Sequence, residues 1–184
     1  MAVRRGVRFR ADDIWDTPDD GDRYEVIDGR LYVSPPPILV HQNASGVLYF
    51  YLVQHVRQWR LGGKVYAAPV GVVLDDENGL QPDLVYISRE RAGILAERGI
   101  EGAPDLVVEI LSPSTRGRDR GIKMRRYAAA GVSYYWVVDP RTRTLEEYLL
   151  VEQGYELVGS HGPGSIFRPA LFPGLEIPID DLWA

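Results

Sequence analysis

The sequence predicts an α/β fold: a mixed central sheet flanked by helices, with added β-hairpins. Three observations predict it. PDLVYIS from Pro82 and PDLVVEIL from Pro104 are short β-branched apolar runs, each opened by a proline, which a strand tolerates at its first position. Their apolarity is continuous rather than alternating, so both faces are covered and these are central strands. YEVI-DG-RLYV is a hairpin signal, because Asp28-Gly29 suits the two-residue turns that match strand twist.

Each element then follows in order. Residues 1 to 22 are polar, with a loop at Pro18-Asp19-Asp20-Gly21-Asp22 and a short helix around Ala11 to Asp16. Pro35-Pro36-Pro37 ends the hairpin and leads to a helix from about Leu39 to Arg60, with Val40, Val47, Tyr51 and Leu52 as its apolar positions and Gly62-Gly63 as its stop. Lys64 to Leu74 reads as one strand or a bent pair broken near Pro69 and Gly71, and Asp75 to Gly79 as a turn. The first central strand is Pro82 to Ser88 and the second Asp105 to Leu111, joined by a short helical or irregular stretch. Ser112-Pro113-Ser114-Thr115 breaks the second strand and caps a helix from Arg118 to Ala130, closed by Gly131. SYYWVVDP is another central strand, followed by a meander of Thr144 to Val151 and Tyr155 to Gly159. Leu175, Ile177 and Ile179 are packing positions in the tail. With no linker or internal repeat, residues 1 to 184 are expected to form a single domain.

Apolar content of 45% and charged content of 26% are those of an ordinary globular protein. The absence of cysteine excludes a disulfide scaffold and thiolate metal sites. No apolar run is long enough for a membrane span or a signal peptide, so a cytoplasmic location away from membranes is expected. The net charge of −5 argues against a protein that coats nucleic acid non-specifically. Local charge differs: Arg116 to Arg126 holds five arginines and one lysine against one aspartate. Taken alone such a run is a solvated helix face, but its place just after Glu109 shifts the balance toward a phosphate-facing patch. Only Lys64 and Lys123 are lysines among 21 basic residues. Unlike arginine, a partly buried lysine can give up its proton, which makes Lys123 a candidate for chemistry.

Geometry sorts the carboxylates. Asp105 and Glu109 share a strand face but stand about 13 Å apart at roughly 3.3 Å per residue, too far for one ion to bridge. Asp105 is therefore a turn or strand-opening residue. Asp83 opens its strand and Glu109 lies near the end of the next. If the two strands are antiparallel neighbours, directly opposed side chains approach within about 5 Å. A carboxylate on a central strand is costly unless it is paired or binds a cation, so Asp83 and Glu109 are the expected pair. Facing each other without a cation they repel, and Asp83→Asn is expected to raise stability. His41 and His55 read as capping or core-edge residues, and no histidine spacing suggests zinc.

Asp83 followed by Glu109-Ile110-Leu111 resembles the PD-(D/E)xK arrangement of metal-dependent nucleases of the restriction-endonuclease-like fold. APDLVVEILSPSTRGRD, then KMRRYAAAGVSYYWVVDP, resembles more narrowly the Uma-type family, classed among restriction endonucleases. The likeness extends to YEVIDGRLYVSPPP, to His41 opening a helix and to LFPGLEIPIDDLW, and so spans nearly the whole chain. It implies hydrolysis of phosphodiester bonds in nucleic acid, DNA first, with Mg²⁺ or Mn²⁺ held by Asp83, Glu109 and the main-chain carbonyl of Ile110. The lysine position of the pattern holds Leu111, and Lys123 on the following helix is the candidate replacement, orienting water or neutralising phosphate charge. Arg116, Arg118 and Arg120 are then backbone-phosphate contacts, which give affinity without reading sequence. Glu25 could reach such a site, although a surface place on its hairpin is expected. The alternative is a catalytically silent nuclease-fold module for binding or assembly; a homodimer is left open in either case.

Overall fold

The computed structural model describes residues 7–184; the sequence-based expectations for the first six residues lie outside the described part. A 3₁₀ turn at Ala11–Asp16 precedes strands β1 (Arg23–Ile27) and β2 (Arg30–Ser34), and helix α1 (Leu39–Gln58) follows. Next come β3 (Lys64–Ala67), β4 (Val72–Asp75), β5 (Asn78–Leu80), β6 (Leu84–Ile87), β7 (Ile100–Glu101) and β8 (Leu106–Ile110). Helix α2 covers residues 116–130 in three contiguous parts: an α turn at Arg116–Arg118, a π segment at Asp119–Lys123 and an α segment at Met124–Ala130. Strands β9 (Tyr134–Asp139), β10 (Thr144–Val151), β11 (Gly154–His161), β12 (Ile166–Phe167) and β13 (Ile177–Pro178) complete the chain before a last 3₁₀ turn at Ile179–Trp183.

The central sheet is mixed, in the order β11-β10-β9-β8-β6-β3, with β6 antiparallel and β9 parallel to β8. A second sheet, β2-β1-β5-β4-β7, stacks against it. Residue parity shows why β6 and β8 are apolar throughout. Leu84, Tyr86, Leu106, Val108 and Ile110 pack on one face against Leu48 and Leu52 of α1. Val85, Ile87, Val107 and Leu111 point the other way, into a core shared with Ile27, Val72 and Tyr127. Asp83 and Glu109 have the parity of this second face. They are therefore directed into the space between the central sheet, the β1–β2 hairpin and α2.

Local chemistry sets the turns that matter. Asp28 and Gly29 adopt φ of 53° and 67°, the left-handed pair of a tight hairpin turn. Gly131 ends α2 with φ of 87°, a conformation that favours glycine. Helix α1 stops at Gln58, earlier than the Gly62-Gly63 signal suggests, because Arg60 itself turns left-handed at φ 51°. Its buried face is also shifted from the expected stripe. His41, Ala44, Leu48, Leu52, His55 and Val56 face the core, while Val40 is exposed. The apolar residues of this helix lie on both sides, so a stripe drawn from apolarity alone missed the histidines and the alanine that pack. Lys64 to Leu74 is the bent pair, its halves β3 and β4 joining different sheets. Among the described residues, no helix is long and apolar enough to cross a membrane.

Candidate active site

The register of β6 and β8 pairs Leu84 with Val108, so the next step outward sets Asp83 opposite Glu109. Directly opposed side chains in an antiparallel pair have Cβ atoms about 5 Å apart. Both residues are only 1% exposed. Such burial is tolerable only with partners, and each carboxylate has its own set.

Asp83 accepts from the Arg23 guanidinium at 2.6 Å through Oδ1 and from the Ile110 backbone N–H at 2.6 Å through Oδ2. His41 Nε2 lies 3.2 Å from the same Oδ2. Burial opposes ionisation of Asp83, but the Arg23 charge, His41 and the Ile110 amide together hold it well below the usual carboxylate range. Glu109 has a different fate. Its Oε1 receives the Lys123 ammonium at 2.6 Å and the Tyr127 hydroxyl at 3.0 Å. Burial and the nearby charges of Asp119, Asp83 and Glu25 outweigh Lys123, and Glu109 is pushed well above the ordinary range.

Lys123 is the hub. It is 1% exposed, and its ammonium stands 2.8 Å from Glu25, 2.6 Å from Glu109 and 3.4 Å from Asp119. Burial alone would discharge it, but these three carboxylates raise its pKa instead. The sequence-based expectation that a buried lysine here can give up its proton therefore fails. Lys123 is a fixed positive charge.

Helix α2 delivers these groups because Asp119, Lys123 and Tyr127 follow each other at intervals of four along one face. The π segment spans the first two. Such a turn disturbs the helical hydrogen-bond ladder, and the buried Tyr135 hydroxyl donates to the Asp119 carbonyl at 2.8 Å. On the hairpin, Arg23, Glu25 and Ile27 alternate onto one face. Ile27 enters the core, Glu25 reaches Lys123, and Arg23 reaches Asp83. Glu25 is 1% exposed, which overturns the expected surface position; its Oε1 also accepts from the Gln81 backbone N–H at 3.1 Å. His41 too belongs to the site rather than to a helix cap. The period-2 pattern of the hairpin and the four-residue step back from Lys123 are the signals that point to Arg23, Glu25 and Asp119.

Four buried carboxylates, Glu25, Asp83, Glu109 and Asp119, thus surround the Arg23 guanidinium and the Lys123 ammonium. Glu25 Oε2, Asp119 Oδ1 and His41 Nδ1 are buried without a hydrogen-bond partner; the 3.4 Å contact of Asp119 Oδ1 with Lys123 is an ion pair only. A cavity of about 240 Å³ leads in from solvent to Asp83, Arg23 and His41, with Asp19 and Asp22 on its rim.

The other expected residues sit elsewhere. Asp105 is a strand-opening residue, accepting from the Ser88 N–H at 2.6 Å and pairing with Arg91 at 3.4 Å. Leu111 is buried in the second core, so no cation could occupy the lysine position of the pattern without displacing packing. Arg116 is paired with Asp139. Arg118 donates to Ser34 and lies 5.1 Å over the Tyr32 ring. Arg120 makes a two-pronged contact with Glu146 at 2.6 and 3.1 Å. The cationic run is mostly neutralised within the fold rather than presented as an open patch.

Comparison with known proteins gives a consistent family and fold. The family model Uma2, described as "Putative restriction endonuclease", matches residues 12–180. The fold is similar to that of a crystal structure described as a putative nuclease belonging to DUF820 from Anabaena variabilis, with a TM-score of 0.76 and 20% identity over 95% of this chain and 97% of that one. No curated protein matches the sequence.

Proposed function

The chain belongs to the Uma2 family, and on that premise we propose that its buried carboxylate centre is a divalent-metal-dependent phosphodiesterase that hydrolyses nucleic acid, DNA first. The observation that carries the proposal is the 2.6 Å contact of Lys123 with Glu109. It brings a lysine from helix α2 to the carboxylate beside which the family pattern expects one, while Leu111 fills the core.

The donor set suits Mg²⁺ or Mn²⁺. Asp83, Glu109 and the Ile110 carbonyl offer carboxylate and main-chain oxygens, with unpartnered Glu25 and Asp119 oxygens nearby. Among the described residues no three Asp, Glu, His or Cys side chains already converge at ligand distance. Mg²⁺ commonly uses only one or two carboxylates and keeps its remaining positions for water and substrate phosphate. Asp83, Glu109 and the main chain of Ile110 are the residues that would hold it. A cation there would neutralise the scissile phosphate and lower the pKa of an attacking water.

The chain's own groups then have distinct tasks. Lys123, kept protonated, offsets negative charge growing on the phosphate in a site where water screens it little. Glu25 and Asp119 hold that ammonium in place, and Tyr127 fixes the Glu109 carboxylate. Arg23, at the cavity, attracts and orients the incoming phosphate. Arg116 and Arg120 would reach the nucleic-acid backbone by exchanging Asp139 and Glu146 for phosphate, and Arg118 would add its charge from its place behind Ser34.

A cleavage assay on single- and double-stranded DNA and RNA tests this, run with Mg²⁺, with Mn²⁺ and with EDTA. Wild type is expected to cut with metal and not with EDTA, and Asp83→Ala to lose the activity. Cleavage that survives in Asp83→Ala or in EDTA would refute the proposal. One observation favours the silent-module reading: both Asp83 oxygens already have partners, so a cation must compete with Arg23. That reading gains if no divalent cation shifts the melting temperature and no substrate is cut.

A further inference from the structure

Next to the carboxylate centre lies a second cavity, of about 200 Å³, with the opposite character. Arg23 and His41 form the partition between the two, since both residues line both cavities. The first has three aspartates in its wall, Asp19, Asp22 and Asp83. The second has none, and no glutamate. Its polar wall is made of Arg23, Ser34, His41, Ser112, Ser114 and Thr115. In a chain of net charge −5, an acid-free recess with an arginine and four hydroxyls is unusual.

Two of its buried groups have unfilled hydrogen-bonding capacity. Ser34 is 4% exposed, and its oxygen accepts from Arg118, which leaves the hydroxyl hydrogen free to donate. His41 is 6% exposed, its Nε2 faces Asp83, and its Nδ1 has no partner. Buried polar groups in folded proteins are nearly always bonded, so an unfilled pair lining one cavity calls for a ligand. Arg118 reinforces the same wall from behind Ser34, with its Nε and Nη1 also buried and unpartnered. The Ser112 hydroxyl lies 3.0 Å from that of Ser114 and 2.9 Å from that of Thr115, so the turn gathers three hydroxyls at this wall.

We propose that this recess is a phosphate-binding subsite, which holds a phosphate group of the substrate beside the one at Asp83 and Glu109. Arg23, Ser34 and the Ser112–Thr115 turn donate to its oxygens. His41, with its Nε2 turned to Asp83, offers Nδ1 to a P–OH group or a bridging water. The identity of the phosphate as part of a nucleic acid rests on the nuclease reading; the recess as an anion site does not. Two phosphate sites on either side of Arg23 and His41 would fix the register of the chain being cut.

The test uses the full chain in EDTA, so that neither cleavage nor metal binding enters the readout. Binding is measured by calorimetry with three probes: inorganic phosphate, a short oligonucleotide with a 5′-phosphate, and the same oligonucleotide without it. Wild type is compared with Ser34→Ala, which removes a donor, and with Ser114→Glu, an exposed change that places a negative charge at the recess. Each variant is expected to weaken phosphate binding by about tenfold or more, as a hydrogen bond to a charged group is worth. Asp83→Asn is expected to keep or strengthen it by releasing Arg23. Binding of inorganic phosphate, or of only the 5′-phosphorylated oligonucleotide, assigns a terminal phosphate; equal binding of both oligonucleotides assigns an internal diester, and either supports the subsite. Binding of none of the three probes by wild type, or equal binding by wild type, Ser34→Ala and Ser114→Glu, overturns it. Binding lost in the variants alongside no cleavage of any substrate would keep the subsite and sink the nuclease.

Discussion

Replacing the two opposed carboxylates one at a time should move stability in opposite directions. Asp83→Asn leaves the Arg23 guanidinium, which is 17% exposed, without the carboxylate that sits 2.6 Å away. Breaking a buried ion pair by removing one partner costs about 3–5 kcal/mol. Arg23 lies at a cavity where water can reach it, so the lower end applies, about 3 kcal/mol. At roughly 2–4 °C per kcal/mol for a chain of this length, the melting temperature should fall by about 6–12 °C. Glu109→Gln should do the reverse. Burial and three neighbouring acids disfavour Glu109's charge despite Lys123, and Lys123 keeps Glu25 and Asp119 as partners after the change. The expected result in EDTA is therefore a lower melting temperature for Asp83→Asn and a higher one for Glu109→Gln, measured by scanning calorimetry. Adding Mg²⁺ should raise wild type, because a ligand of the folded state stabilises it, and should raise the double variant Asp83→Asn, Glu109→Gln far less. An Asp83→Asn protein as stable as wild type in EDTA would refute the view of Asp83 as a paired charge. The bare-carboxylate picture drawn from sequence gave the opposite sign, because it contained neither Arg23 nor His41.

Further outcomes follow from the same geometry. Lys123→Met should lower stability in EDTA by about 3–5 kcal/mol by leaving three carboxylates without their shared cation, and urea denaturation checks it; Mn²⁺ should then stabilise the variant more than wild type. Lys123→Arg should fold poorly in the closed space around Glu25, Glu109 and Asp119, and any folded fraction should lose kcat rather than affinity in a cleavage assay. Trp136→Ala should cost about 3–5 kcal/mol in urea denaturation, since that ring is fully buried and packs edge-on against Phe167 at 4.8 Å. Asp139 is held below its ordinary range by Arg116 and the Arg141 backbone N–H, against the opposing effect of burial. A depressed carboxylate contributes stability above its unfolded pKa of about 3.9 and loses it as pH falls through the folded value. The gap in melting temperature between wild type and Asp139→Asn should be full at pH 6 and close below about pH 4.

The sequence by itself determined the strands and the acids they carry. PDLVYIS and PDLVVEIL had to be central because no face of either run is polar enough to meet water, apart from Asp83, Glu109 and the strand-opening Asp105. Asp83 and Glu109 had to oppose each other once the strands were antiparallel neighbours. Asp28-Gly29 specified its turn, and the long run through KMRRYAAAGVSYYWVVDP specified the family. All of these are local patterns, in which a residue's neighbours along the chain decide its environment. Tertiary structure alone decided which cations meet those acids. Arg23 stands 60 positions from Asp83, and nothing local to either residue records that they touch. Glu25 looked like any polar residue of a hairpin until a second sheet covered that face. Lys123 had to meet Glu25, Glu109 and Asp119 together before its charge could be known, because burial alone would have removed the proton that three carboxylates retain. The arginines of α2 were spent on Asp139, Ser34 and Glu146 for the same reason. Charge on a chain is a property of residues, whereas whether that charge is open to a ligand depends on partners that only packing brings within reach.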